Sequence, residues 1–424
     1  MLIHGEVCVN KGFYSVMAAE FFSSLADNAL LIVAIAILAQ IKAPDWMTPL
    51  LRLFFVMSYI GLAAFVGAFA DTLPKGKVMF ITNTIKFVGC TLIFIGVHPL
   101  AAYAIVGIGA AAYSPAKYGI LTELLPAEKL VIANGWIEGL TVTSIIMGTV
   151  LGGTLINKHV SAFLQAYIPF AYTSAAAALI VILGIYILAA LFNLRIPDTG
   201  ARYEKQPINP IKLIKNFSVS FTTLWKDKLG QISLSVTTLF WGAGATLQFI
   251  VLKWAQTALK MTLDKAAFLQ GIVAVGVAVG AVSAAKFIRL KSSLKVMPLG
   301  VAMGLVIMIM TQIHSVWVAY PLLVVIGVLG GFFVVPMNAL LQHRGHVLLS
   351  AGHSIAVQNF NENLSILTML GVYSLLVSLD LSTNAVIVIF GSLVASVMLL
   401  VMLWHRRNQQ IQDSLHLIGE EKRH

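Results

Sequence analysis

Five ionisable side chains lie well inside the long apolar runs of the first half of this chain, and their spacing is the first sign of chemistry. Glu20 and Asp27 stand seven residues apart, two helical turns, so they share a face with Ser24. Asp27 and its neighbour Asn28 fall near the middle of their run. Lys86 and Lys117 occupy two later runs, and Asn134 and Glu138, four apart, share the face of another. A charge in apolar surroundings loses its hydration and persists only with a partner, a cavity or a ligand. Three acids against two lysines permit two neutral pairs and leave one acid over. Such pairs can simply fix packing. The functional alternative is a polar headgroup: Lys117 suits a phosphate, and Asp27 suits an ammonium or a coupling proton. The second half of the chain is sparser. Glu362 shares a face with Gln358, beside Asn359 and Asn361, while Gln248 and Asn338 add amides. Asp27, Asn28, Lys117, Glu138, Gln248 and Glu362 are therefore the candidate substrate-binding residues.

The elements that must position these groups follow from composition. Of 424 residues, 59% are hydrophobic and 11% charged, against about 25% charged in a soluble domain. Lipid must serve as the outer solvent, and a chain in lipid pairs its backbone internally as helices or a closed barrel. The apolar runs last about 20 residues without alternating, which selects helices. They fall at 13–40, 50–70, 78–97, 100–122, 131–156, 165–192, 231–258, 266–288, 295–314, 317–341, 352–378 and 383–404. The expected fold is thus all-α and integral to the membrane, with twelve transmembrane helices. The first run carries Glu20 and Asp27 and lacks a cleavage site, so it is a span and not a signal peptide. A polar stretch divides the chain into a six-helix half (1–192), a linker (193–230), a second six-helix half (231–404) and a tail (405–424).

Charge placement sets orientation. With both termini in the cytoplasm, 20 of the 28 Lys and Arg lie inside, 6 lie outside, and Lys86 and Lys117 remain within spans. That bias is expected of a bacterial inner-membrane protein. The net charge of +11 has no basic, aromatic-interleaved segment to suit nucleic acid. Cys8 and Cys90 give no disulfide framework. In the linker, Ile211, Ile214, Phe217, Phe221, Leu224 and Trp225 recur at helical spacing among lysines, which predicts an amphipathic helix on anionic membrane lipids. Glycine pairs at 148/152, 276/280 and 327/331 predict close helix packing.

The two halves echo each other. The fourth run, Gly107-IGAAAYS-Pro115, and the tenth, Gly327-VLGGFFVV-Pro336, each place small residues about two turns before a proline. Parallel half-repeats mark one major transporter architecture. After the second run comes Gly67-AFA-Asp71-TLP-Lys75-Gly76-Lys77. This resembles the loop signature of the major facilitator superfamily, which implies that fold and makes Asp71, Lys75 and Lys77 a candidate conformational latch. The corresponding stretch of the second half, Gly280 to Lys291, lacks the acid, which leaves a second latch in doubt.

No phosphate-binding GxxxxGK[ST] loop or hydrolase elbow occurs, and His343, His346 and His353 lack ligand-type spacing for a metal. Neither cofactor nor enzymatic activity is expected. The stretches AEFFSSLADNALL (19–31), GIGAAAYSPAKYGILTEL (107–124), ANGWIE (133–138), TLFWGAGATLQF (238–249), GGFFVVPMNALLQHRG (330–345) and AVQNFNEN (356–363) together resemble the bacterial lysophospholipid transporter (LplT) family across nearly the whole chain. The resemblance implies a flippase that moves lysophosphatidylethanolamine and lysophosphatidylglycerol from the outer to the inner leaflet of the inner membrane. There an acyltransferase/acyl-carrier-protein synthetase would re-acylate them, completing phospholipid remodelling. It maps the family's polar positions to Asp27, Asn28, Lys117, Glu123 and Glu362. It departs at Gln248, where relatives carry an arginine, and that leaves headgroup preference open. The alternative on the same fold is a proton-coupled exporter of amphipathic drugs, with Asp27 as proton carrier.

Overall fold

Each long apolar run becomes a helix because an amide buried in lipid can satisfy its hydrogen bonds only within its own segment. The computed structural model describes residues 11–44, 47–168, 170–203, 209–261 and 263–419. Cys8, Lys205, Lys422 and Arg423 lie outside them. Among the described residues there is no strand.

The first group of helices comprises α1 (Lys11–Gln40), α2 (Met47–Gly61), α3 (Ala63–Thr72), α4 (Lys75–Phe94), α5 (Pro99–Leu124), α6 (Leu130–Leu155), α7 (Lys158–Tyr167) and α8 (Ser174–Leu194). The linker forms α9 (Pro210–Lys226). Then follow α10 (Gly230–Thr257), α11 (Leu263–Phe287), α12 (Met297–Ile309), α13 (Val316–Leu348), α14 (Ala351–Ser378) and α15 (Thr383–Ile411). Among the described residues, eleven helical segments are long and apolar enough to cross a membrane, and the bent pair α2–α3 makes up to twelve. That pair turns by 67° where Gly61 meets Leu62, so the second run is two helices and not one straight span. The sixth run begins later than its composition suggests. Residues 165–173 are not its first turns, because α7 ends at Tyr167 and Thr173 caps a new helix, accepting from the Ala176 amide at 3.0 Å.

Contacts divide the chain into two compact units that do not coincide with the two halves of the sequence. Unit one holds residues 1–124, 143–217 and 351–356. Unit two holds 125–142, 218–350 and 357–424. Unit one therefore includes the first turn of α14, and unit two includes the first half of α6. The apolar core of unit one gathers Leu30, Val33, Leu38, Leu51, Cys90, Val106, Ile182 and Tyr186 from α1, α2, α4, α5 and α8.

The linker helix divides its apolar side differently from the expected single lipid-facing stripe. Phe217 packs on Val66, Ala112 and Ala356, Phe221 meets Phe360 edge-on at 6.2 Å, and Leu224 is buried. Ile211 and Ile214 of that stripe remain well exposed. Much of the stripe read as membrane-binding is packed on protein.

Small residues set the helix spacing. In unit one a methyl on Gly148 would lie 2.6 Å from the Leu25 carbonyl oxygen, and one on Gly152 2.7 Å from that of Ala29. In unit two, Gly276 and Gly280 of α11 meet the α13 backbone around Gly327 and Gly331 in the same way. Backbones this close leave no room for a Cβ. A methyl at Gly184 would meet nothing within 4 Å. Gly148→Leu is expected to destabilise the detergent-solubilised protein by about 1–3 kcal/mol through overpacking, visible as a lowered Tm. Gly184→Ala should leave Tm unchanged or slightly higher.

Candidate functional site

Two buried ion pairs of unit one are built on α1. Glu20 accepts from Lys117 Nζ of α5 at 3.0 Å, and Asp27 accepts from Lys86 Nζ of α4 at 2.6 Å. Two helical turns separate the acids along α1, so they reach two different neighbouring helices. Gly109 of α5 makes room for this: a methyl there would lie 2.7 Å from Lys86 Cγ. Neither pair is sealed, since the Asp27 side chain keeps 14% of its exposure and Lys117 keeps 10%.

Both oxygens of Asp27 are engaged, because Tyr186 of α8 donates its hydroxyl to the second at 2.7 Å. Lys86 also donates to Ser23 Oγ at 2.9 Å, and Ser23 in turn donates to Asn83 Oδ1 at 2.7 Å. Asn83 Nδ2 meets no acceptor, and neither does the hydroxyl of Tyr113, whose ring lies 4.8 Å from Lys86 Nζ. Both residues are buried. This region of unit one thus holds two lysines, each paired with a carboxylate, and two donors without an acceptor. Asn28, half-buried, spends its amide on the Ser24 carbonyl of its own helix at 2.8 Å.

The remaining acid, Glu138, belongs to unit two. Asn134 and Glu138 of α6 meet Gln342 and Asn338 of α13 as two rungs. Asn134 and Gln342 exchange reciprocal bonds of 2.8 Å, and Asn338 donates to Glu138 at 3.4 Å. Gln358 then links Asn338 to Glu362, at 3.0 and 2.8 Å. Glu138 and Glu362 thus lie on one relay. Gln248 does not: its side chain is exposed on α10, and its carbonyl accepts from Gln270 at 3.1 Å.

A third cluster lies at the ends of α3, α5 and α14, within unit one. Asp71 accepts from Lys75, from the Gly352 amide in the first turn of α14 at 3.1 Å, and faces His353 Nδ1 at 3.0 Å. A carboxylate at a helix N-terminus is favoured by the unpaired amides there. Lys75 is buried and 3.7 Å from Glu123, whereas Lys77 is exposed and outside the cluster. Glu123 holds the linker by accepting from Thr199 at 2.6 Å and Tyr203 at 2.8 Å. Burial and the adjacent Glu123 carboxylate push the Tyr203 hydroxyl pKa well up. Asp198 in the same turn is held down to about 2 by the Arg202 hydrogen bond and the Gly200 amide, so it stays charged at any ordinary pH.

Unit two has an acid–base contact of its own, although the stretch Gly280 to Lys291 lacks an acid. Asp227, from the linker, binds Arg344 of α13 in a two-point fork at 3.2 and 2.7 Å. Single polar residues such as Asn83, Tyr113, Tyr186 and Asp227 escaped sequence reasoning because each is unremarked within its own run. A tyrosine amid aliphatic residues was the available signal for Tyr186.

A helical bundle that spans the membrane and pairs its charges inside is the frame of a secondary transporter. Residues 16–368 match the Major Facilitator Superfamily. The lysophospholipid transporter LplT of Citrobacter koseri is 44% identical over 94% of this chain and 96% of its own. That of Escherichia coli O9:H4 is 42% identical over 94% and 97%. In three dimensions the chain is similar to FucP in its outward conformation, with a TM-score of 0.70 at 14% identity, covering 93% of this chain and 98% of that one. It is similar also to a bacterial homologue of the iron transporter ferroportin, with a TM-score of 0.68 at 14% identity, covering 95% and 100%. The chain belongs to the major facilitator superfamily and, within it, to the family of the LplT lysophospholipid transporters.

Removing Lys86 alone leaves Asp27 buried without its cation, a loss of about 3–5 kcal/mol. Lys86→Met should therefore lower Tm sharply. The double variant Asp27→Asn, Lys86→Met should recover much of that loss, and a double-mutant cycle by thermal melting measures the recovery.

Proposed function

We propose that this protein carries lysophospholipids across the bacterial inner membrane, taking them from the outer to the inner leaflet. Its relatives' names and its membrane-spanning fold support the substrate class. The excess of Lys and Arg on one side supports an orientation with both termini in the cytoplasm.

The observation that carries this reading is the pair of unanswered donors in unit one. Asn83 Nδ2 and the Tyr113 hydroxyl are buried beside Lys86 and lack an acceptor. A lysophospholipid phosphate offers several acceptor oxygens and one negative charge, which matches two donors and nearby lysines. Lys117 and Lys86 enter the site already compensated by Glu20 and Asp27. A phosphate then competes with carboxylates for the lysines instead of meeting bare cations. Asp27, with both oxygens engaged, orients Lys86 and Tyr186 more readily than it binds an ammonium itself. The acyl chain needs no enclosed tunnel, since lipid-facing helix surface accepts it.

In this reading the Asp71 cluster, with Lys75 and Glu123, is a latch. It binds the first turn of α14 to the ends of α3 and α5, and alternating access must break it. Lys77 is exposed and lies outside that cluster. The chain acts as a carrier and not an enzyme, and an acyltransferase/acyl-carrier-protein synthetase consumes its product.

Tyr113→Phe removes one donor without removing a partner from any other group. A hydrogen bond to a charged group is worth about 1.5–3 kcal/mol, so KM for lysophosphatidylethanolamine in proteoliposomes should rise by about tenfold or more, with Tm unchanged. An unaltered KM in both Tyr113→Phe and Asn83→Leu would remove the phosphate from this site.

A further inference from the structure

Between the fifth and sixth runs lies a helix too short to cross anything. α7, Lys158–Tyr167, has ten residues. At 1.5 Å per residue it is about 15 Å long, half of a hydrocarbon core of about 30 Å. Its depth is nevertheless fixed. α6 ends at Leu155 and α8 begins at Ser174, and both are long and apolar enough to span. The segment that joins them must lie at one rim of the bilayer.

α7 presents two unlike faces. One is tied to unit one: Ser161 is buried and accepts from the Ser174 hydroxyl at 3.0 Å, and Leu164 packs on the apolar core. The other carries Ala162, Phe163, Ala166 and Tyr167, all exposed. The loop to α8 adds Phe170 and Tyr172. These four aromatic side chains keep between 63% and 82% of their exposure. Their rings meet in pairs, Phe163 with Tyr167 at 4.8 Å and Phe170 with Tyr172 at 6.5 Å. Phe170 also holds a φ of +68°, a left-handed backbone that disfavours a bulky side chain, and its ring still gains little cover from the protein.

A contiguous apolar patch of this kind marks a surface with a partner, and its setting identifies that partner as lipid. The two flanking spans hold it at the level where acyl chains meet headgroups. The lipid-facing surface also runs up to it: Met147, Val150 and Thr154 of α6, spaced three and four apart on one face, are all exposed and lead to α7. The composition suits that zone, since aromatic rings with polar tips settle there and cations flank them. Lys158 and His159, both exposed, supply the polar edge.

We propose that Phe163, Tyr167, Phe170 and Tyr172 form a membrane-interface surface that binds the phospholipid layer. The rings lie among the upper acyl carbons, and the tyrosine hydroxyls and Lys158 lie at the level of the phosphates. α7 thereby holds the joined ends of α6 and α8 at one depth. The assignment is independent of the cargo. With both termini in the cytoplasm the leaflet is the outer one, from which the lysophospholipid reading takes its substrate.

Spin labels on the full chain test this in vesicles of phosphatidylethanolamine and phosphatidylglycerol, in a Cys8→Ser, Cys90→Ala background. Labels at Phe163→Cys and Tyr167→Cys should collide more with oxygen than with a water-soluble nickel chelate. Their depth should be about 5–10 Å below the headgroup boundary, shallower than a label at Val150→Cys and deeper than one at Lys158→Cys. Nickel-dominated collisions at 163 and 167 would place the face in water and overturn the proposal. Immobile labels that neither reagent reaches would place it under a second copy of the chain, with the same result. With Phe163, Tyr167, Phe170 and Tyr172 all changed to serine, a label at Ala166→Cys should shift from oxygen-dominated to nickel-dominated, while Tm in detergent stays unchanged. A label at 166 that stays in lipid would show that the rings do not hold the helix there.

Discussion

A charge inside a lipid-solvated bundle has few acceptable neighbours, and this constraint organises the rest of the protein. Asp27 meets it with Lys86 and Tyr186, and Glu20 with Lys117. Because those partners sit on α4, α5 and α8, the pairs also dictate which helices stand around α1. Buried ion pairs of this kind add little net stability over an apolar core, but losing one partner is severe. Their presence is better explained by use than by folding.

The two units finish their polar accounts in opposite ways. Unit one ends with donors to spare, on Asn83 and Tyr113, beside two lysines. Unit two ends with an acceptor to spare, on Gln358, between two acids joined by amides.

Close packing makes these meetings possible. Glycine at 109 admits the Lys86 side chain, and glycines at 148, 152, 276, 280, 327 and 331 bring backbones together. The contacts most exposed to rearrangement are polar and lie near helix ends: Asp71 with Gly352 and His353, Glu123 with Thr199 and Tyr203, and Asp227 with Arg344. Hydrogen-bonded contacts can be exchanged for water at an interface, whereas interlocked glycine backbones cannot slide without leaving a void.

Composition and the length of the apolar runs were enough to determine a helical membrane protein with about twelve crossings, because a bilayer imposes one length scale on every span. The polar residues within those runs also marked Glu20, Asp27, Lys86, Lys117, Glu138 and Glu362 as charges that need partners, since their cost in lipid is independent of context. Tertiary structure decided which acid met which lysine, why Glu138 sits with Asn338 instead, and why Gln248 stays off the relay. It also turned Phe217, Phe221 and Leu224 of the linker helix onto protein and supplied Asp227 as the acid that the second half lacked. Partners 59 to 282 residues apart leave no trace in local periodicity. Hydrogen-bond donors and acceptors are matched by distance and direction in space, and only the packed helices provide those.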